Sequence, residues 1–168
     1  DLLIMGLPEI GDEGFGPSPE VVVLGSGRPV LVVPYIGAPA GFGQKIAIAW
    51  SATRESARAV GDALPLLEQA DSVSVVMVNP KSGERGHGQQ PGADIALHLA
   101  RHGLDVQVER VDGTSVDPGN AILSHLADSG ADLLVMGGYG HSRLRELVVG
   151  GVTRTILKSM TVPVLMAH

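Results

Sequence analysis

The sequence predicts an α/β fold, a parallel sheet wrapped by helices on both faces, and three observations lead there. Short apolar runs of strand length alternate with helically spaced apolar segments from residue 44 onward. An internal repeat places two similar strand segments in the same order twice. Apolar residues make up 44% and charged residues 18% of 168 residues, enough for a packed core of ordinary domain size.

The elements follow in chain order. Lys45-Ile-Ala-Ile-Ala-Trp50 is a compact apolar run of strand length. Ala57, Val60, Leu64 and Leu67 recur at helical spacing, with Pro65 as an irregularity expected to kink that helix. Val73, Val75, Val76 and Val78 form a β-branched strand ended by Asn79-Pro80, and residues 81–92 read as loop on composition. Ile95 and Leu99 open a second helix that stops at Gly103. Val106 and Val108 alternate with polar neighbours, as in a strand. Asp117-Pro118 marks a capped helix start and Gly130 its end. Leu133–Met136 reads as a buried strand, followed by a glycine-rich loop, a helix around Thr153–Ser159 and a strand Pro163–Met166.

The repeat divides the chain. Asp1-Leu-Leu-Ile-Met-Gly6 recurs as Asp132-Leu-Leu-Val-Met-Gly137, and Arg28-Pro-Val-Leu-Val-Val33 as Val162-Pro-Val-Leu-Met166. Residues 1–43 therefore read as the end of one repeat with a linker, and residues 44–168 as one whole repeat. A strand, a helix near Pro19–Leu24 and a strand cannot bury both faces alone, so they must pack on something else. The first repeat lacks counterparts of three strands, and the expectation is a longer natural chain with two whole domains.

Composition removes several functions. There are no cysteines, so disulfide scaffolds, thiolate metal sites and cysteine nucleophiles are excluded. That usage is compatible with a reducing cytoplasm. A formal net charge of −6 supplies no basic face for nucleic acid. The apolar runs are too short to span a bilayer as helices. No phosphate-loop lysine motif or nucleophile elbow occurs, and Gly138-Tyr-Gly140-His-Ser-Arg143 breaks the dinucleotide fingerprint at its third glycine. Trp50-Ser51 stands where a receiver domain would want acids. His98 and His102 have the spacing of a two-histidine metal face, but a solvated helix face is the default and no metal is expected.

The informative stretch runs from Gly137 to Gly151. Glycines just past a strand let a backbone approach a ligand, and the next helix offers unpaired N–H groups, so a phosphate could lie between Gly137–Gly140 and Gly150–Val152. A glycine-rich connection without a ligand fits the same residues. Tyr139 stacks on a ligand or covers the loop. His141 and the charged pair Arg143 and Arg145 read as exposed loop and helix residues, with phosphate contact as the alternative. Trp50 reads as packing between strand and helix.

Gly137, two residues, Gly140, nine residues and Gly150 resembles the nucleotide loop of universal stress proteins, with Ile46–Trp50 similar to that family's first strand and Val162-Pro-Val-Leu to its last. The whole arrangement resembles the tandem members of the family. The resemblance implies an adenine-nucleotide α-hydrolase-like fold with strand order 3-2-1-4-5, pairing through the last strands of two domains, within one chain or in a dimer. Some members bind ATP and others do not. On this pattern the binding residues are Gly137, Gly140, Gly150, Gly151, Val152, Ser51 and Val78. Two polar anchors are missing: Gly151 stands for the usual Ser or Thr, and Ser51 for the usual Asp.

A hydrogen bond to a charged partner contributes about 1.5–3 kcal/mol, so two losses weaken binding by about two to four orders of magnitude. The expectation is weak or absent ATP binding, with Mg²⁺ entering only alongside nucleotide and no catalytic residue. The role implied is a cytoplasmic stress-response or signalling module. The alternatives are an ATP-binding sensor with slow hydrolysis and a purely structural interaction module. The strands Pro29–Val33 and Pro163–Met166 are expected to pair antiparallel.

Overall fold

The computed structural model describes residues 1–8, 16–36, 41–80, 90–140 and 151–168. In chain order its elements are β1 (Leu3–Gly6), α1 (Pro19–Gly25), β2 (Val30–Val33), β3 (Lys45–Ala49), α2 (Arg54–Leu67) and β4 (Ser72–Val78). They continue with α3 (Ala93–Arg101), β5 (Val106–Val111), α4 (Pro118–Ser129), β6 (Leu133–Gly137), α5 (Gly151–Ser159) and β7 (Val164–Ala167).

Local chemistry sets the helix ends. Thr53 caps α2 in a reciprocal box with Ser56, and the helix runs through Pro65 to Leu67. Asp117 caps α4 by accepting from Asn120 N, and Gly130 closes it in the left-handed conformation at φ 67°. α3 ends at Arg101, two residues before Gly103, whose φ is +81°.

The strands make one sheet in the order β1-β2-β7-β6-β3-β4-β5. Within residues 44–168 that is the expected order 3-2-1-4-5, all parallel. Two further strands from residues 1–43 continue that five-stranded sheet, through the antiparallel pairing expected between Pro29–Val33 and Pro163–Met166. β2 pairs antiparallel with β7, matching Val30 to Met166, Leu31 to Leu165 and Val32 to Val164, and β1 pairs parallel with β2. The physical reason is the edge of β7, whose free backbone groups and apolar side chains would otherwise face water. Val30, Leu31 and Val32 are all buried, and burying each such side chain contributes about 1.5–3 kcal/mol. The repeat thus appears as two strand–helix–strand units, β1-α1-β2 and β6-α5-β7, joined through their last strands.

Alternation along the strands builds a core on each face. Ile46, Ile48, Val73, Val75, Leu133 and Val135 point toward α2 and α3. Ala47, Val76, Leu134, Met136, Val164 and Met166 point toward α1, α4 and α5. The start of β3 is fixed by Asp132, just before β6. Its carboxylate accepts from Gly43 N at 2.9 Å, Gln44 N at 3.1 Å and Lys45 N at 3.1 Å. This clamp holds the first strand of the whole repeat in register with its neighbour.

Candidate functional site

The chain leaves β3 toward β4 on one side and leaves β6 toward β7 on the other, although β3 and β6 are hydrogen-bonded neighbours. Their C-terminal ends therefore form the crevice in which parallel α/β sheets bind ligands. The described residues that follow β3, β4, β5 and β6 lie at that end.

After β3, Trp50 N bonds Val76 O at 2.9 Å and the side chain packs half-buried against the α2–α3 core, as expected. Ser51 is exposed, and its hydroxyl lies 3.2 Å from that of Thr53. Ala52 takes a positive φ of 52° that turns the chain into α2. Ser56 N donates to Thr53 Oγ1 at 3.3 Å and Thr53 N to Ser56 Oγ at 3.1 Å. Three hydroxyls thus cluster at one helix start.

The residues ending the strands give the crevice an apolar floor. Ala49, Val78 and Val111 close β3, β4 and β5, and all three are half-buried against the α4–α5 core, together with Val152 in the first turn of α5. Beside them Asn79, at φ 45°, accepts from Gly113 N at 3.0 Å and ties two loops together. Asp112 accepts from the Thr114 hydroxyl and amide at 2.7 and 2.9 Å, and these bonds hold its carboxyl below the usual range.

The loop after β6 is packed from within. A methyl group on Gly137 would come 2.5 Å from Ser56 N and 2.7 Å from the Glu55 carbonyl carbon. One on Gly138 would meet the Val23 side chain at 2.9 Å, and one on Gly140 would meet Glu55 Oε2 at 2.9 Å. Gly137 is required by the close approach of the α2 backbone to the loop, whereas Gly138 and Gly140 face side-chain atoms of Val23 and Glu55. The loop is also fastened to the last strand: Gly138 N bonds Ala167 O at 2.8 Å, and the His168 ring lies 3.0 Å from Gly138 O. Tyr139 resolves its two readings toward packing. It is only 8% exposed, sits in the core beside Val23 and takes φ 58°. Burial, with the charge of Glu20 added, pushes its phenol up to about 12.

Ser51, Val78, Gly137 and Gly140 accordingly lie on loops and strand ends at one end of the sheet, and Gly151 and Val152 open α5. Gly150, His141, Arg143 and Arg145 lie outside the described residues. His98 on α3 and His102, which caps its C-terminus, meet edge to face with ring centroids 5.0 Å apart. Among the described residues no group of three or more His, Asp or Glu is placed to hold a metal ion.

One residue of the site went unread in the sequence. Glu55 is 3% exposed in the first turn of α2, beneath Gly140. Burial raises its proton affinity, but hydrogen bonds from Arg54, its own amide and Thr53, with the Arg54 charge, outweigh that and hold the carboxyl below its usual value. A signal existed: Glu55, Ala59, Ala63 and Leu67 recur every fourth residue, and all are buried.

A doubly wound α/β sheet with a glycine loop and a capped helix start beside its switch point has the architecture in which parallel α/β sheets hold ligands. A model of the universal stress protein family matches residues 43–168, and this chain belongs to that family. Universal stress protein Slr1230 of Synechocystis sp. is 39% identical over 67 residues, which is 40% of this chain and 22% of that protein. A universal stress protein from Archaeoglobus fulgidus superposes with TM-score 0.66 at 18% identity, over 99% of this chain and 60% of the other. A universal stress protein in complex with cAMP superposes with TM-score 0.53 at 20% identity, over 74% of this chain and 97% of that one. At these identities the structural likeness establishes the fold. The chain spans 60% of that Archaeoglobus protein's length and matches about a fifth of Slr1230. No helix among the described residues is long and apolar enough to cross a membrane.

Proposed function

We propose that this chain acts as a cytoplasmic stress-response or signalling module with a weak adenine-binding pocket, rather than as a dedicated catalyst. The observation carrying this reading is the half-buried apolar floor of Ala49, Val78, Val111 and Val152 beside the Ser51 hydroxyl. A flat heteroaromatic ring would cover those side chains, and Ser51 would offer a hydrogen bond at its edge. The cAMP complex of a relative supports the choice of adenine. ATP, with Mg²⁺ only as its companion, would find Gly140, Gly150 and Gly151 but neither charged nor hydroxyl anchor in the two expected places. Residues 1–43 are read as the end of a preceding repeat, held by the antiparallel β2–β7 pair that would serve equally between two chains.

Calorimetric titration with ATP and Mg²⁺ tests the reading. The expected dissociation constant is on the order of 0.1–1 mM, a binding free energy of about −5.5 to −4 kcal/mol. Tight stoichiometric binding would refute weak binding and favour the sensor that hydrolyses slowly. A second reading, a structural interaction module, draws on one observation: Leu2, just before β1, and Leu3 and Ile4 on it are exposed, Ile4 to 67%. Failure of every adenine compound to bind would favour it.

A further inference from the structure

We propose that His98 and His102 form a bidentate site for a divalent d-block cation, copper(II) foremost, at the C-terminal end of α3. This helix connects the parallel strands β4 and β5 and so runs back along the sheet, away from the strand ends that form the crevice. Its C-terminus lies at the opposite end of the molecule's sheet, and the inference stands apart from the adenine reading.

A solvated face is the ordinary state of two histidines one turn apart, and geometry sets this pair apart. The ring centroids are 5.0 Å from each other, with the ring planes at 63°. With metal–nitrogen bonds of about 2.0–2.1 Å, each centroid lies about 3.2 Å from a bound ion, so two imidazoles sharing it at about 90–110° have centroids about 4.5–5.2 Å apart. The observed spacing falls inside that window. Both side chains are exposed, and neither has a hydrogen-bond or ion-pair partner among the described residues. A turn about Cβ–Cγ therefore aims both ring nitrogens at one point without breaking a hydrogen bond.

The backbone beneath the pair is fixed. Ile95 and Leu99 anchor the inner side of α3 in the core. His102 N donates to Leu99 O at 2.9 Å, Leu104 N donates to the same carbonyl at 3.2 Å, and Gly103 closes the turn in the left-handed conformation. Two ligands held one turn apart on such a backbone lose little freedom when they share an ion. The C-terminal end of a helix also carries partial negative charge, which favours a cation there. Asp94, one turn before His98, adds a carboxylate to the same side, and Arg101 is the opposing charge within the helix.

The ligand set selects the metal. Imidazole suits copper, nickel and zinc, and in that series a given site binds copper(II) most tightly; its tetragonal geometry accepts two adjacent nitrogens with water in the remaining positions. Magnesium and calcium require oxygen ligands, which the pair does not supply. Among the described residues no third His, Asp or Glu completes the set, so the ion is exchangeable rather than structural.

The test is calorimetric titration of the whole chain with copper(II), nickel(II), zinc(II) and magnesium chlorides, joined to electron paramagnetic resonance of the copper form. It is run on the wild type, His98→Gln, His102→Gln and the double variant, with metal-free thermal unfolding to check each fold. The expected wild-type result is one tightest site for copper(II), weaker nickel and zinc, no magnesium, and coupling to two imidazole nitrogens. Each single variant is expected to lose at least about 10-fold in copper affinity, since even an outer partner of a metal ligand is worth about 10–100-fold. At copper concentrations about 100 times the dissociation constant, the wild type should melt about 5–11 °C higher and the double variant should not move. Unchanged copper affinity in either single variant overturns the chelate, as does coupling to one nitrogen. No copper binding, or magnesium binding of equal strength, overturns the site outright.

Discussion

Two glycines of the same loop region should respond in opposite ways to alanine. Gly137 has an ordinary backbone conformation, so alanine meets no torsional penalty there. Its new methyl group would instead lie 2.5 Å from Ser56 N and 2.7 Å from the Glu55 carbonyl carbon. Both are backbone atoms of the first turn of α2, which is held by the Thr53–Ser56 capping box and cannot yield as a flexible side chain would. Overpacking of this kind costs about 1–3 kcal/mol. At about 2–4 °C per kcal/mol for a chain of this size, G137A should melt about 2–12 °C below the wild type. Gly151 is the control, because nothing lies within 4 Å of its added methyl group and it begins α5. G151A should be neutral or stabilising by up to about 1 kcal/mol from helix propensity. Urea and thermal unfolding of both variants measure the difference. A G137A protein within about 0.5 kcal/mol of the wild type would refute the claim that packing, rather than ligand approach, demands this glycine.

Further outcomes follow from single contacts. Replacing Asp132 by Ala removes the acceptor of three backbone N–H groups at the start of β3; two of the bonds are exposed, so the loss expected in urea unfolding is about 1–3 kcal/mol. Because the Glu55 carboxyl is held below its ordinary value of 4.5 in the folded protein, its contribution is present above the unfolded value and lost as pH falls through the folded one. The acid limb of the wild-type stability profile should therefore be steeper than that of Glu55→Gln, and parallel profiles would contradict the assignment. The Tyr139 phenol is raised from 10.0 to about 12, so it favours the folded state below pH 10 and that contribution fades as pH rises toward 12. Ultraviolet titration of the folded protein should show a tyrosine ionising only near pH 12, and Tyr139→Phe should remove that late step.

Much of the architecture is legible in the sequence. Parallel strands buried on both faces read as short apolar runs, which is why β3, β4, β6 and β7 stood out. Asp117-Pro118 and Gly130 bounded α4 because capping is local chemistry. The resemblance to universal stress proteins, which pair through their last strands, identified β2 and β7 as partners. Tertiary approach was not legible. Gly137, Gly138 and Gly140 look alike in sequence whether a ligand or a helix comes near them, and only the fold shows α1 and α2 against the loop. Glu55 was passed over because a single acid in a helix is ordinarily solvated. Its place in line with Ala59 and Ala63 was the clue. Asp132 was read as part of a repeated strand, while its carboxylate reaches back to residues 43–45, nearly ninety positions earlier. Tyr139 could be decided only by the core that encloses it.

The most direct test of the account is a crystal structure of the protein soaked with millimolar adenosine, and in parallel with ATP and Mg²⁺. The account predicts an adenine ring over Ala49, Val78, Val111 and Val152, with its ribose near Ser51 and no ordered triphosphate on Gly137–Gly140. A well-ordered triphosphate seated on that loop, or an adenine bound elsewhere on the molecule, would contradict it.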